Sequence, residues 1–505
     1  MMQAATLHEA LSQHEREQPE AALLIAPETG CVLSYAQLAT EARQLAARYA
    51  NCGLTAGDHV GFLLHNGYQT TTIFLGTMAA GFVVTPLNLL SHGAQLAYVL
   101  AHSNVKLVFT SIHYEAQLRL ALSMLSAAQS NAIRVEVIDP DAPNTHSRFG
   151  EQALDPSTHS GTPALLMYTS GTTGQPKGAL LTHGNLLHAG RTVCEWHGLT
   201  GADRVLSSLP LYHINGQCIA TVAPFVSGGS IVAPHKFSAS AWWDWVARYE
   251  PTWLNVVPTI IAYLLNSVDA KTKLWPALRF ARSASAPLPP EQHRAFEATF
   301  GIDVIEAMGM TECASMVFCN PQQKSARKYG SPGLPCGVEA RVVSTDHGAV
   351  LSDDLSGELQ LRGRNVMQGY FNAPEKTADA LTADGFLRTG DIGHRDSDGF
   401  YFVTGRIKEL IIKGGENIAP REIDEALLAH PAVLEAAAVG VPDANYGQDI
   451  LAAVVLKPGV RCDEASLREH CVKMLGRFKT PKTFRFVDEL PKGPSGKVQR
   501  LKLLD

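Results

Sequence analysis

The residues best suited to chemistry form a segment of small residues directly after an apolar run. Residues 168–178 read YTSGTTGQPKG. Small residues let backbone N–H groups approach phosphate oxygens, hydroxyls donate further hydrogen bonds, and a lysine adds positive charge. Alone, such a segment could equally be a surface loop, and it is not a Walker A loop, because Gly178 follows the lysine where a Ser or Thr would contact magnesium. The candidate phosphate-binding residues are Thr169, Ser170, Gly171, Thr172, Thr173, Gly174 and Lys177.

Four further segments carry acidic, basic and glycine residues in a fixed order along the chain. They read MGMTE at 308–312, TGD at 389–391, GRIKELIIKGGENIAPRE at 405–422 and PKGPSGK at 491–497. Taken singly, each could be a turn, a surface ion pair or a solvated tail. In this order, after residues 168–178, they resemble the adenylate-forming superfamily of acyl-CoA synthetases, luciferases and peptide-synthetase adenylation domains. The resemblance extends over nearly the full chain.

The resemblance implies a site for ATP and Mg²⁺. Thr311 is expected to contact the α-phosphate region, and Glu312 is expected to help hold magnesium, for which a carboxylate oxygen is a suitable ligand. Met308 stands where family members usually have a tyrosine stacked on adenine, so a thioether is expected against the base. Ser285 and Ala286 are also expected beside the nucleotide.

The same resemblance assigns the ribose, the hinge and the binding of coenzyme A. Asp391 and Arg406 are expected to hold the ribose, since a carboxylate can accept hydrogen bonds from two hydroxyls. Lys408 falls at the hinge position, and Gly414–Gly415 lies where the family threads the pantetheine arm of CoA. Lys497 matches the lysine that enters the active site for adenylation, where an ammonium can stabilise charge on phosphoryl oxygens.

The activity implied is that of an ATP-dependent, AMP-forming acid:CoA ligase. A carboxylate attacks the α-phosphorus of ATP to release pyrophosphate, and the CoA thiol then attacks the acyl-adenylate to release AMP. Because one rigid surface could hardly serve both steps, we expect the C-terminal domain to rotate between them.

The acid substrate is predicted from polar residues in three segments. His213, Asn215, Ser283, Ser285 and Ser315 are the candidate acid-binding residues, with His213 also a candidate catalytic residue. Hydroxyls where many family members have glycine favour a short, polar acid. Residues 282–312 most resemble the oxalate:CoA ligase branch, whose substrate-side histidines are replaced here by Asn215 and Ser315. We therefore expect an oxalate-like dicarboxylate or a sulfoacetate-like acid.

Several alternatives remain open at the level of sequence. His213 could be only a gating residue and the serines could line adenine, which would leave a medium-chain, long-chain or aromatic acyl-CoA synthetase. An amino-acid adenylation enzyme is disfavoured, because such domains typically place an aspartate near Tyr212. An inactive nucleotide-binding regulator is disfavoured because Lys177, Glu312 and Lys497 are all present.

The elements that must position these residues predict an α/β fold. Up to roughly Leu361, a helical pattern at 34–49 and apolar runs at 60–64 and 105–110 indicate βα units with largely parallel sheets. Residues 139–162 are predicted to form a loop leading into a strand at 164–168.

We expect a large N-terminal domain of layered βα subdomains at 1–407 and a small, mobile α+β domain at 408–505. The boundary is placed near Gly405 to Lys408. The C-terminal elements are predicted as helices at 421–429 and 464–475 and strands at 434–441, 450–456 and 483–487.

Composition restricts the class of protein. Lys and Arg total 42 against 48 Asp and Glu, a net charge of −6, and no long basic run occurs, which argues against a nucleic-acid binder. Nine cysteines without a CxxC pair argue against a zinc knuckle or a disulfide scaffold. The charged N-terminus does not resemble a signal peptide, and no apolar run suits a membrane anchor. A cytoplasmic enzyme is expected, and a homodimer is left open.

Overall fold

A computed structural model of the chain describes residues 4–155, 157–169, 175–266, 275–492 and 498–504. Residues Ser170, Gly171, Thr172, Thr173, Gly174 and Lys497 therefore lie outside the described residues. In the described residues, no helix is both long and apolar enough to cross a membrane.

The helices begin with recognisable local signals. Ser34 caps the helix Tyr35–Asn51 in a capping box with Gln37, and Thr182 caps the helix His183–His197 in the same way with Asn185. The helices are α1 Leu7–Glu17, α2 Tyr35–Asn51, α3 Tyr68–Ala79, α4 Gly93–His102, α5 Glu115–Ser123, α6 Ala127–Asn131, α7 His183–His197, α8 Ala223–Ser227, α9 Ala239–Tyr249, α10 Pro258–Asn266, α11 Pro290–Phe300, α12 Pro374–Ala380, α13 Pro420–Leu428 and α14 Glu464–Lys479. Short 3₁₀ helices lie at Ser147–Phe149, Thr311–Cys313, Lys324–Ala326, Ile407–Glu409 and Arg500–Leu503, and a π-helix lies at Asn215–Val222.

Within the described residues, the strands belong to four sheets. They are β1 Ala22–Ile25, β2 Val32–Ser34, β3 His59–Leu63, β4 Val83–Pro86, β5 Val105–Thr110, β6 Arg134–Val137, β7 Pro163–Thr169, β8 Lys177–Thr182, β9 Arg204–Leu206, β10 Ser230–Val232, β11 Trp253–Val256, β12 Phe280–Ser283, β13 Val304–Met310, β14 Ser315–Cys319, β15 Leu334–Pro335, β16 Glu339–Val343, β17 Gly357–Arg362, β18 Gly369–Tyr370, β19 Leu387–Arg395, β20 Tyr401–Arg406, β21 Ile411–Lys413, β22 Glu416–Ile418, β23 Val433–Asp443, β24 Gly447–Leu456 and β25 Thr483–Phe486.

Two large sheets form the body of the N-terminal part. Within the described residues, one has the order β15-β14-β13-β12-β11-β9-β10-β1-β2 and the other β18-β8-β7-β4-β3-β5-β6. Their central strands are parallel, as βα units predict, and antiparallel pairs lie toward the edges. An extensive apolar core joins residues of both sheets and the helices between them. The prediction of an α/β fold with largely parallel sheets is confirmed for this part.

A third sheet was not predicted from the sequence. Strands β16, β17, β19 and β20 are antiparallel, so the parallel region does not extend to Leu361, which lies inside β17. Antiparallel strands can follow one another without a crossover helix, as β16 and β17 do and as β19 and β20 do. Helix α12 lies between β17 and β19, so helices do not alternate regularly with these strands as the prediction of βα units required.

The C-terminal sheet has the order β22-β21-β24-β23, with β25 parallel to β24, and it packs α13 and α14 around a core of its own. All five predicted elements of this region are present, with ends within four residues of the predicted ones. The 3₁₀ helix Ile407–Glu409 connects the last strand of the third sheet to this sheet. The domain boundary at residue 407 remains a prediction.

Candidate active site

The predicted phosphate-binding segment joins two antiparallel strands. Thr169 ends β7 and is the register partner of Lys177, the first residue of β8. The five residues between them that were predicted to bind phosphate lie outside the described residues. The hairpin nevertheless fixes where the loop begins and ends, because both flanking strands are held in the seven-stranded sheet.

Lys177 lies beside Tyr370, which sequence reasoning did not single out. The Lys177 Nζ lies 4.8 Å from the centre of the Tyr370 ring. Strand β18 brings the tyrosine there by pairing with β8. Burial lowers the pKa of Lys177, and the nearby ammonium of Lys408 lowers it further. The two ammonium groups repel each other, and a bound polyanion would relieve that repulsion.

Tyr370 also connects Lys177 to Glu312. Its hydroxyl donates to Glu312 Oε1 over 2.9 Å. Burial and the Glu312 carboxylate raise the pKa of Tyr370, so the hydroxyl stays protonated and remains a donor at neutral pH. The structure therefore gathers the predicted phosphate lysine and the predicted magnesium ligand around one aromatic ring.

A tight turn between β13 and β14 places Thr311 and Glu312. The two residues lie in the 3₁₀ helix that follows Met310, and both are half-buried. The Met367 N–H donates to the Glu312 carbonyl over 2.7 Å. Ser315 follows the turn with a φ of 98°, a left-handed conformation that is uncommon for a residue with a side chain. Such backbone strain often occurs at functional sites.

Asp391 and Arg406, the residues predicted to hold the ribose, form an ion pair across two neighbouring strands. They are register partners on β19 and β20, and Arg406 Nε lies 2.9 Å from Asp391 Oδ1. Asp391 is buried, whereas the Arg406 side chain is 45% exposed. The Asp391 carboxylate raises the pKa of Arg406, and Glu312 contributes to the same shift, which places this pair within electrostatic reach of the phosphate residues.

The hinge and pantetheine residues lie in successive turns. Lys408 is in the 3₁₀ helix after β20 and is exposed. Gly414 and Gly415, with φ of 58° and 86°, form the two-residue turn between β21 and β22. Positive φ at both central residues is the backbone of a tight hairpin, which glycine adopts without strain. Lys497 lies outside the described residues, so its predicted role is untested.

The predicted acid-binding residues Asn215 and Ser285 are in direct contact. Asn215 Nδ2 donates to Ser285 Oγ over 3.0 Å. On its other side, Asn215 Oδ1 accepts from Asn255 Nδ2 at 3.1 Å and lies 3.5 Å from Arg282 Nη1. Since both of these neighbours are donors, the amide orientation of Asn215 is fixed, with its N–H groups directed toward Ser285.

Arg282 is a buried guanidinium behind this contact. Its side chain is fully buried, and among the described residues no group accepts from Nε or Nη2. Burial lowers the pKa of Arg282, although a guanidinium remains charged in proteins. Burying a cation without a carboxylate partner lowers the free energy of unfolding by on the order of several kcal/mol. Its positive charge favours an anion on the Ser285 side of Asn215.

A tight turn positions His213 and Asn215. The His213 N–H donates to the Pro210 carbonyl over 3.0 Å, and the π-helix begins at Asn215. A Cβ built on Gly216 would overlap the Pro210 carbonyl oxygen, so the chain can fold back here only with glycine. His213 is half-buried, and π-helical turns are frequent at functional sites.

Other predicted residues are not joined to this contact. Ser283 alternates with Arg282 along β12, so its side chain points to the opposite face of the sheet, where it is fully buried. Among the described residues, no hydrogen bond links Ser283 or Ser315 to Asn215. Ser315 is buried at the start of β14, while Met308 and Ala286 are half-buried.

Three contributing residues were missed by the sequence analysis. Arg282 and Asn255 carried a usable signal, since each is a polar residue within an apolar strand, where a buried side chain must find partners. Tyr370 lies in the segment GYFN and carried no comparable signal. Its role depends on the pairing of β18 with β8, which no local pattern predicts.

The fold and these residues define an adenylate-forming enzyme, and comparison with known proteins agrees. The chain belongs to the AMP-binding enzyme family, whose model matches residues 11–371, while the AMP-binding enzyme C-terminal domain matches residues 422–497. The predicted resemblance to this group is thereby confirmed.

Individual relatives match over nearly the whole chain. The chain is 54% identical to a sulfoacetate–CoA ligase of Cupriavidus necator, with 99% of this chain and 97% of the relative covered. It is 34% identical to an oxalate–CoA ligase of Arabidopsis thaliana, with 93% and 92% covered. The crystal structure of ATP-bound MatB from Rhodopseudomonas palustris superposes with a TM-score of 0.91 at 32% identity, covering 99% of this chain and 98% of that one.

Proposed function

We propose that this protein is an ATP-dependent, AMP-forming sulfoacetate:CoA ligase. The identity of 54% to a sulfoacetate–CoA ligase over nearly all of both chains supports the substrate. The observation that carries the proposal is the contact of Asn215 with Ser285, backed by the buried charge of Arg282. Together, Asn215, Ser285 and Arg282 supply the hydrogen-bond donors and the positive electrostatic potential that an anionic acid requires.

The first half-reaction joins the acid to AMP. The substrate carboxylate oxygen attacks the α-phosphorus, the α–β phosphoanhydride bond breaks, and pyrophosphate leaves. Lys177 and the loop before it bind phosphate oxygens, Thr311 contacts the α-phosphate region, and Lys497 stabilises charge on the transferred group. Phosphoryl transfer depends mainly on such positioning and charge stabilisation.

Glu312 is the proposed ligand of Mg²⁺. One carboxylate oxygen accepts from Tyr370, and the side chain is half-buried, so the second oxygen is available to a cation. This donor set fits Mg²⁺, which is usually bound by one or two carboxylates together with substrate phosphates. When bound, the ion would neutralise charge on the triphosphate.

The second half-reaction transfers the acyl group to CoA. The thiol sulfur attacks the acyl carbonyl, the bond to AMP breaks, and the thiol proton is released to solvent. We propose that the C-terminal domain rotates about Lys408 between the steps, withdrawing Lys497 and presenting Gly414–Gly415 to the pantetheine arm. The 3₁₀ helix that contains Lys408 joins two sheets with separate cores, which suits a hinge.

The orientation of the Asn215 amide favours a substrate with a second anionic group. Its oxygen is committed to Asn255 and Arg282, so only its N–H groups face Ser285. A sulfonate offers three charged oxygen acceptors, and a hydrogen bond to a charged group contributes about 1.5–3 kcal/mol. An uncharged acyl chain would offer no acceptor to the second N–H of the Asn215 amide or to the hydroxyl of Ser285.

The decisive experiment measures CoA-dependent AMP formation with ATP, Mg²⁺ and a panel of acids. We expect kcat/KM for sulfoacetate to exceed the values for acetate, octanoate and benzoate. The variant Asn215→Leu should raise the KM for sulfoacetate about 10- to 100-fold while KM for ATP changes less than about twofold. Asn131→Leu, at an exposed asparagine on α6, is the matched control.

The possible outcomes distinguish the question of which acid is the substrate from the question of whether the protein is a CoA ligase. A preference for oxalate, favoured by the relative from Arabidopsis thaliana, would retain an anion-binding site but change the acid. A preference for octanoate or benzoate would overturn the argument from Asn215. No turnover with any acid would overturn the ligase, and Lys497→Ala should abolish adenylation in all cases.

A further inference from the structure

A group of side chains outside the nucleotide and acid sites has the composition of a metal site. His65, Asp141 and His235 each offer one ligand atom, and these atoms all lie within 4.8 Å of one another. The two imidazole rings are 4.0 Å apart between centroids. His235 Nε2 lies 2.9 Å from Asp141 Oδ1 and 3.9 Å from Glu28 Oε2. The mechanism uses none of these residues.

The four residues come from the carboxyl ends of parallel strands in both large sheets. His65 follows β3 and Asp141 follows β6 in one sheet, whereas Glu28 follows β1 and His235 follows β10 in the other. Each lies two to four residues beyond the end of its strand. The group therefore bridges the two sheets.

Hydrogen bonds to the backbone prearrange the ligand atoms. His65 Nδ1 lies 2.7 Å from the Asn66 carbonyl oxygen, so Nδ1 carries the proton and Nε2 is left with its lone pair. The His235 backbone N–H donates to Glu28 Oε1 over 2.9 Å. A Cβ on Gly67 would lie 2.9 Å from Asp141 Oδ1, so glycine lets this carboxylate approach closely.

We propose that His65, Asp141 and His235 form a binding site for Zn²⁺ or a similar divalent transition metal, with the fourth position taken by water. Two imidazoles and one carboxylate match the nitrogen and oxygen donors that Zn²⁺ takes in proteins, where three protein ligands and one water make up a four-coordinate site. The proton between His235 Nε2 and Asp141 leaves to solvent when the metal binds. The side chains of Glu28, Asp141 and His235 are 20–30% exposed, so an ion can enter from solvent.

The site would brace the loop that carries His213. Asn66, the neighbour of His65, donates to the Leu209 carbonyl over 3.0 Å and accepts from the Leu211 N–H over 3.0 Å. Those two residues begin the segment that leads to His213 and Asn215. A metal that links His65 to His235 fixes the base of this segment.

The test is metal binding by the full-length protein after treatment with a chelator, without ATP or Mg²⁺. We expect wild-type protein to take up about one equivalent of Zn²⁺ in competition with a chromophoric chelator. Co²⁺ should give the visible absorption of a four-coordinate site. His65→Ala and His235→Ala should each weaken Zn²⁺ binding at least about 100-fold, because loss of even an outer partner costs about 10- to 100-fold.

A matched control separates this site from adventitious binding to other histidines. His347→Ala removes an exposed histidine that contacts Ser344 within its own turn, and it should bind Zn²⁺ as wild type does. Equal uptake by all four proteins, or no uptake by wild type, would overturn the site. If an alanine variant fails to fold, Asp141→Asn conserves the shape and should lose the Zn²⁺-induced rise in Tm. The assay requires no turnover, so its result is independent of the proposed ligase.

Discussion

Tyr370 provides the sharpest test of how the nucleotide residues are organised. Its hydroxyl donates to Glu312 over 2.9 Å, and its ring lies 4.8 Å from the Lys177 ammonium. The variant Tyr370→Phe removes the hydrogen bond and keeps the ring. Tyr370→Leu removes both contacts.

The expected magnitudes follow from these two contacts. A hydrogen bond to a charged group contributes about 1.5–3 kcal/mol, so Tyr370→Phe should lower kcat/KM for MgATP about 10- to 150-fold. A cation–π contact contributes about 0.5–2 kcal/mol, so Tyr370→Leu should lose a further factor of about 2 to 30. The loss should be smaller at saturating Mg²⁺ if the hydroxyl acts by orienting the magnesium ligand.

The assay is exchange of pyrophosphate into ATP in the presence of the acid, which isolates the first half-reaction. Thioester formation from added acyl-adenylate, measured in parallel, should change less than about threefold in Tyr370→Phe, because that step does not use the triphosphate. Tyr263→Phe, at an exposed tyrosine on α10, is the control for loss of a phenolic hydroxyl.

A Tyr370→Phe enzyme that exchanges pyrophosphate within about threefold of wild type would refute the argument that this hydroxyl positions Glu312. Equal losses in exchange and in thioester formation would also refute it, since they would indicate a general structural defect. A normal melting temperature distinguishes that defect from a local one.

Three further outcomes are expected. Asp391→Asn, which removes the charge that faces the proposed ribose, should raise KM for ATP at least about tenfold in the exchange assay, with unchanged KM for the acid. Burial raises the pKa of Glu306 from 4.5 to about 7, so the native state holds a proton that the unfolded state releases. The free energy of unfolding should therefore fall by up to about 3 kcal/mol between pH 4.5 and 7, and urea unfolding of Glu306→Gln should lack this fall. The variant Gly216→Ala should lower the free energy of unfolding by about 1–3 kcal/mol, because the added Cβ would overlap a backbone carbonyl oxygen. The control Gly201→Ala should leave the free energy of unfolding unchanged, because the atom nearest to its Cβ would be 3.4 Å away.

Much of the fold follows from local sequence patterns. The strand predicted at 105–110 is β5 at the same residues, and the helix predicted at 34–49 is α2 at Tyr35–Asn51, displaced because Ser34 is its cap. The third sheet was missed because its strands do not alternate regularly with helices, since β17 follows β16 directly, β20 follows β19 directly, and α12 lies between β17 and β19. The pairing of distant segments such as β18 with β8 is likewise absent from any local pattern.

The candidate site divides in the same way. The order of the motifs pointed to Lys177, Glu312, Asp391 and Arg406, and the structure brings the first two around Tyr370 and pairs the last two. Acid-pocket residues were harder to predict, because the direction of a side chain on a strand depends on register. Ser283 illustrates this, since its side chain lies on the face of β12 opposite to that of Arg282, which contacts Asn215.

The sequence by itself determined the chemical groups and their class of reaction, because a phosphate loop, a turn with a carboxylate and a glycine hairpin are each built from contiguous residues. Tertiary structure decided which groups act together. Glu312 meets Tyr370 across 58 residues, and Asn215 meets Arg282 and Ser285 across 67 and 70. Contacts of that sequence separation arise only when strands pair and sheets pack, so the anion selectivity proposed for the acid site depends on the folded chain.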